Sequence, residues 1–152
     1  MTDFKTLADL VGHHARTRPH AIALTFEAGP ALPEQHRCFL QLHENGLALA
    51  RALQGLGIRR GDAIALVMAN HPEFVEAMVA AAHLGAVLVP IDARAQGDRL
   101  AALIDRTHCV GVVTAKALTR PPRTSASAEA WGSSRTCTRP AISSVLALAP
   151  LR

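Results

Sequence analysis

The 152 residues are 49% apolar and 18% charged, enough to bury a sizeable core and too apolar for wholesale disorder. Three scattered cysteines, Cys38, Cys109 and Cys137, exclude both a disulfide framework and a CxxC metal site. The net charge of +4 sits in one place: residues 1–116 carry eleven Lys/Arg against eleven Asp/Glu, whereas residues 117–152 carry five arginines against Glu129.

A neutral folded part with a basic tail holding one aromatic gives no nucleic-acid interface. The longest uncharged run, Ala77–Ile91, has 15 residues and is broken by His83, Gly85 and Pro90, whereas a bilayer span needs about 20. No membrane span is expected. The opening MTDFKTLADLVGHHAR has acidic residues and no continuous apolar stretch, so no secretory signal is visible and a cytoplasmic location is expected.

In chain order, Thr6–Val11 has apolar positions at helical spacing, and Pro19 ends that helix. Ala21–Phe26 is a strand candidate, followed by a loop marked by Gly29, Pro30 and Pro33. Leu40, Leu42, Leu47, Leu49, Ala50, Leu53 and Leu56 describe a long amphipathic helix that stops at Gly55-x-Gly57. Gly61-Asp62 turns the chain into Ala63–Met68, an apolar run typical of a strand buried on both faces. Asn70 is the expected cap of a helix from Pro72 to Leu84, with proline in its first turn and Gly85 closing it. Ala86–Ile91 reads as another buried strand, residues 96–106 as a helix, and Val110–Thr114 as a strand. Strand–helix–strand alternation with short turns predicts an α/β fold, an open and mostly parallel sheet flanked by helices.

The chain divides near Lys116. All eight histidines precede it, and 10 of the 36 residues from Ala117 onward are Ser or Thr, with four prolines. Leu118, Trp131, Ile142, Val145, Leu146, Leu148 and Leu151 are too few to repay the entropy of ordering that stretch. Residues 117–152 are therefore expected to be a low-order Arg/Ser/Pro-rich tail, docking at most through its last ten residues.

Known catalytic patterns are largely excluded. The glycine cluster Gly55-Leu56-Gly57-Ile58-Arg59-Arg60-Gly61 follows a helix and precedes a strand, the reverse of a phosphate-binding loop, and reads as a helix stop plus turn. There is no GxxxxGK[ST] and no GxSxG nucleophile elbow. His13-His14 are adjacent on a helix and read as a surface pair. His36 and His43 would share a face if both were helical, but no carboxylate completes a set. Glu73, in His71-x-Glu73, meets the positive end of a helix dipole, which explains it without catalysis. Cys109 reads as a small buried hydrophobe.

Several segments together resemble the N-terminal region of AMP-forming acyl-CoA synthetases, in the adenylate-forming superfamily. ADLVGHHARTRPHAIAL (Ala8–Leu24) resembles that family's opening helix, Arg-Pro and strand. LALARALQGLGIRRGDAIALVMANHPEFVEAMVAAAHLGAVLVPID (Leu47–Asp92) is the strongest match, through its G-x-x-x-GD turn, N-x-PEF helix start and LGAVLVPID strand. RAQGDRLAALIDRTHCVGVVT (Arg94–Thr114) is similar to the segment that follows. The resemblance covers roughly residues 7–116 and is specific as an ordered set. One departure is Cys38-Phe39-Leu40-Gln41-Leu42, where the family's strand-into-helix motif is usually Thr-Phe-x-x-Leu.

The resemblance implies a partial AMP-binding domain over residues 1–116, the N-terminal subdomain of the adenylate-forming fold. The parent reaction it implies joins ATP and a small-molecule carboxylate into an acyl-adenylate with release of pyrophosphate, then passes the acyl group to CoA. The segments lean towards the acyl-CoA or carnitine-CoA ligase branch, as in fatty acid metabolism. ATP, Mg²⁺ and CoA are the cofactors of that parent family. None is expected to bind well to this chain, because the Ser/Thr/Gly-rich phosphate loop ending in Pro-Lys-Gly, the Thr-Glu motif, the ribose-binding aspartate and the lid lysine are all missing from the sequence. No catalytic residue and no metal ligand is assigned. Basic residues just past the VVT-like strand contact the CoA phosphates in acetate-type relatives, and Arg120 and Arg123 stand at that distance. The favoured alternative places both in an unrelated tail.

Asn70, Glu73 and Phe74 match the family's helix-start motif as cap, dipole partner and packing residue. An excess of 14 Arg over 2 Lys and the break at Lys116 suggest a GC-rich gene read out of frame beyond that codon. Two rival readings stand beside this one. The first is a non-catalytic α/β module that pairs with a full-length synthetase chain. The second is a flavodoxin-like or receiver domain, which lacks support because Ala21–Phe26 leads to Glu27 alone and not to an acidic cluster.

Overall fold

The structure, a computed structural model, describes residues 4–27, 29 and 34–114. The first helix, α1 (Leu7–Thr17), starts on a capping box: the Asp9 N–H donates to the Thr6 hydroxyl at 3.1 Å, and the Thr6 N–H donates to the Asp9 carboxylate at 3.0 Å. Strands β1 (Ile22–Phe26) and β2 (Gln35–Cys38) form an antiparallel pair, with Thr25 opposite His36 and Phe26 opposite Gln35. The chain then enters α2 (Phe39–Gly55) without a break. The sequence pattern gives no strand at β2, because its residues Gln35, His36 and Arg37 are polar and show no apolar alternation.

Three parallel strands follow in the spatial order β4 (Val87–Ile91), β3 (Ala63–Val67), β5 (Cys109–Thr114). Helix α3 (Pro72–Leu84) joins β3 to β4, and α4 (Gly97–Arg106) joins β4 to β5. These two connections advance across the sheet in opposite directions, so crossovers of the same hand place their helices on opposite faces. The side chains agree with that. Ile64, Leu66 and Met68 pack with Leu49, Leu53 and Ala80 of α2 and α3, whereas Ala65 and Val67 pack with Ile104 of α4. Because β3 is covered on both faces and paired on both edges, Ile64–Val67 lose essentially all contact with water.

A third cluster, Val11, Leu42 and Val79, ties α1 to the α2–α3 pair. At that crossing Gly46 lies directly against the fully buried Val79.

Two sequence expectations are corrected. Ala86–Ile91 is not a doubly buried strand: it is an edge strand, with Val87 53% exposed. Edge position also explains how Pro90, which has no N–H to give, fits within β4. The cap of α3 is His71 and not Asn70, with Pro72 in the first turn as expected. Gly85 does close α3, in the left-handed conformation at φ +66°. The expected tail, residues 117–152, lies outside the described residues.

Candidate functional site

Open α/β sheets bind ligands in the crevice beyond the carboxyl ends of their strands, where the connections reverse direction. Here the reversal falls between β3 and β5. The β3 end leads through Met68, Asn70 and His71 into α3, the β4 end through Asp92 and Arg94, and the β5 end stops at Thr114. Arg120 and Arg123, the CoA-phosphate candidates, lie outside the described residues, in the segment that continues from β5.

Past β4, the Arg94 guanidinium clamps Asp92: Nη2 donates at 2.7 Å and Nε at 3.1 Å to each carboxylate oxygen, while the Arg94 N–H donates at 2.9 Å. These bonds hold the Asp92 carboxyl at about 2, well below its ordinary 3.8. Arg94, the cation at this strand end, is thereby committed to a neighbour two residues away.

A second polar cluster lies at the start of α3. Glu73 and Glu76 are 6% and 7% exposed, among the most deeply placed charges of the described fold. Arg37 of β2 donates through Nε to Glu76 at 2.9 Å and stands 3.9 Å from Glu73 through Nη2. Asn45 of α2 donates to the same Glu76 oxygen at 2.8 Å. His71 Nδ1 bonds Glu73, and its ring meets Phe26 of β1 at 5.3 Å between centroids. The cluster thus fastens the β1–β2 pair and α2 onto α3. A buried carboxylate committed in this way is a structural tie and not a free general base, since Oε1 of Glu76 already accepts twice.

Glu73 therefore does more than answer the helix dipole. Its sequence neighbour in role, Glu76, shows as an i, i+3 acid on the apolar face shared with Ala77 and Ala80. Arg37 carries no comparable signal, because it comes from a distant strand.

The remaining sequence candidates separate. His36 is on β2 and His43 on α2, so they do not share a face; His36 instead meets the Thr25 hydroxyl at 3.2 Å. His13 and His14 are half-buried, and the His14 ring packs on Phe39 at 4.8 Å. Burial and the nearby Arg18 push the His14 imidazole below its ordinary pKa. Phe74 packs against the main core, and Cys109 is buried as expected. Among the described residues no three His, Cys, Asp or Glu side chains converge to hold a metal.

The model of the AMP-binding enzyme family matches residues 11–149. The chain belongs to the AMP-binding enzyme family. The match runs past Lys116 into the Arg/Ser/Pro-rich segment. Among curated members, the chain is 35% identical over 101 residues to the human "Acetyl-coenzyme A synthetase 2-like, mitochondrial", covering 66% of this chain and 15% of that protein. It is 35% identical over 92 residues to a crotonobetaine/carnitine–CoA ligase of Salmonella paratyphi A, covering 60% of this chain and 18% of the ligase. The chain thus matches under one fifth of the length of either relative.

Solved structures have the same fold. A fatty acid AMP ligase from Legionella pneumophila superposes with a TM-score of 0.69 at 25% identity, over 75% of this chain and 20% of the other. The Klebsiella oxytoca NpsA N-terminal subdomain superposes with a TM-score of 0.66 at 22% identity, over 80% of this chain and 30% of the other. The expected N-terminal subdomain of the adenylate-forming fold is therefore the observed one. Among the described residues no helix is long and apolar enough to cross a membrane.

Proposed function

We propose that this AMP-binding family chain is the N-terminal portion of an ATP-dependent acid–CoA ligase, whose parent activates a carboxylate as an acyl-adenylate and passes it to CoA. The observation that carries this reading is the family match over residues 11–149, joined to 35% identity with an acetyl-coenzyme A synthetase-like protein and a crotonobetaine/carnitine–CoA ligase. Within that reading the described part is a scaffold. Its β3 and β5 carboxyl ends form one wall of the crevice, and the Arg37–Glu76 tie fixes α3, which opens at that wall. The acyl substrate is a small carboxylate of the acetate or carnitine type. The branch follows the names of the two relatives and not any pocket in this chain.

By itself the 152-residue chain makes no acyl-adenylate, because its sequence lacks the phosphate loop, the Thr-Glu motif and the lid lysine that would hold triphosphate and Mg²⁺. Cytoplasmic location and a domain boundary near Lys116 belong to the same proposal. The test has two parts. The purified chain is expected to give no ATP–pyrophosphate exchange above background with acetate, crotonobetaine or medium-chain fatty acids, and measurable acid-dependent exchange overturns the inactivity. The coding DNA beyond the Lys116 codon is then read in all three frames. A frame that restores the Ser/Thr/Gly loop and the Thr-Glu motif establishes the ligase parent, and exchange by the restored protein names its acid.

If no frame restores them, the exposed β4 edge, with Val87 open to water, favours the module that pairs with a full-length synthetase. Co-purification of the two chains tests that reading.

A further inference from the structure

His43 of α2 and His83 of α3 meet across the helix pair, with ring centroids 5.4 Å apart and planes tilted by 57°. His43 Nδ1 and His83 Nε2 are buried and have no hydrogen-bond partner among the described residues. A neutral imidazole carries one N–H and can leave its other nitrogen bare, whereas the cation carries an N–H on both. Charging either ring therefore buries an N–H that has no acceptor, which is costlier than leaving the neutral nitrogen bare.

Helix α1 closes over the pair. A Cβ on Gly12 would stand 3.5 Å from His43 Cε1 and 3.6 Å from Arg16 Nη1, so the His43 ring and the Arg16 guanidinium flank one point of α1. Asp9, His13 and Arg16 are the ionisable groups that α1 brings to the two histidines. On its other side His83 borders a cavity shared with Arg51 of α2 and with Arg59 and Arg60 of the turn before β3. One carboxylate, Asp9, thus faces four arginines, and each histidine also faces the other. The arginines are exposed and solvent-screened, so the buried nitrogens and the close ring pair supply most of the resistance to a proton. Burial and His43 push the His83 imidazole below its ordinary pKa, with Asp9 opposing them.

We propose that the His43–His83 pair is an acid-sensitive latch, holding α1 on the α2–α3 pair while both rings are neutral and releasing it when either takes a proton. The charged ring needs water, and the helix lying over it is the one to yield. Helix α1 is anchored through the small cluster of Val11 with Leu42 and Val79, whereas α2 and α3 share the main core. Because the folded-state pKa of His83 is depressed, the stabilisation is complete above the ordinary 6.5 and is lost as pH falls below it, where the unfolded chain takes up the proton first. The latch is independent of the ligase reading, since it requires nothing from the strand ends.

The test is urea unfolding of the full chain at about pH 7.5 and about pH 5. On acidification the folded-to-unfolded ratio is expected to fall about tenfold further for the unaltered chain than for a His43→Phe/His83→Phe double variant, which keeps the rings and removes the protons. His20→Asn, at an exposed histidine, should follow the unaltered chain to within about twofold. NMR of the unaltered chain gives a readout that depends on no variant folding: the His83 ring protons should titrate below 6.5, and the exchange protection of the Val11–Ala15 amides should fall over the same pH range. Equal acid losses in the unaltered chain and the double variant, a His83 titration at or above 6.5, or α1 protection that does not change with pH each overturns the proposal.

Discussion

Replacing Gly46 by alanine puts the α2–α3 crossing under direct strain. A Cβ at that position would stand 2.5 Å from Cγ1 and 2.8 Å from Cβ of Val79, and 3.5 Å from the Ala80 nitrogen. Ordinary carbon contacts lie at about 3.5–4.0 Å, so the overlap approaches 1 Å. Val79 cannot relieve it, being fully buried and confined to one rotamer as a β-branched residue in a helix. Overpacking of this kind costs about 1–3 kcal/mol, and the depth of the overlap puts it near 3. Alanine also recovers about 1 kcal/mol of helix propensity over glycine. The expected outcome is therefore a net loss of about 2 kcal/mol, read as a lower urea midpoint at unchanged slope.

A Val79→Ala partner removes the nearer obstruction, Cγ1, and leaves Cβ in place, so the relief is partial but the double variant should still be more stable than the sum of the two single losses predicts. Coupling of about 0.5–3 kcal/mol is the usual range for side chains in contact. Gly46→Ala at or above wild-type stability, or strict additivity with Val79→Ala, would refute a crossing distance set by this glycine.

Three further outcomes follow from the polar contacts and the helix cap. Arg37→Met leaves Glu76 and Glu73 buried without their cation and should cost about 3 kcal/mol in chemical denaturation, with Glu76→Gln losing less; a change under about 0.5 kcal/mol would show that the tie is dispensable. Asp92, held at about 2 by Arg94, has its folded-state pKa depressed, so its contribution to stability is complete above its ordinary 3.8 and lost as pH falls through about 2. Carboxyl NMR should place its titration there, and Arg94→Gln should return it towards 3.8. Gly85→Ala forces a side chain into the left-handed region and to within 3.1 Å of the Arg60 stem, and should lower stability by about 1–2 kcal/mol in thermal or urea unfolding. An unchanged midpoint would contradict that cap geometry.

Most elements were legible because their signals are local. The 3.6-residue apolar spacing of α1 and α2, Pro72 before α3, Gly85 after it, and the unbroken apolar run of β3 are all written within a few residues of where they act. The ordered segments from Ala8 to Thr114 carried the family as well. The polar strand β2 was not legible, because what makes it a strand is its pairing with β1 and not its own pattern.

Strand order was the other decision left to the tertiary structure. Ala63–Val67 and Val87–Ile91 look alike as apolar runs, yet the first lies central and buried and the second lies on an edge. Composition cannot separate them, since the difference lies in which neighbours each strand acquires. The same holds for the Arg37–Glu76 tie, 39 residues apart in sequence, and for the meeting of His43 with His83. Sequence periodicity fixes which face of an element is apolar; which charges and rings meet across two faces depends on how the helices cross, and that is set by close contacts such as Gly46 on Val79.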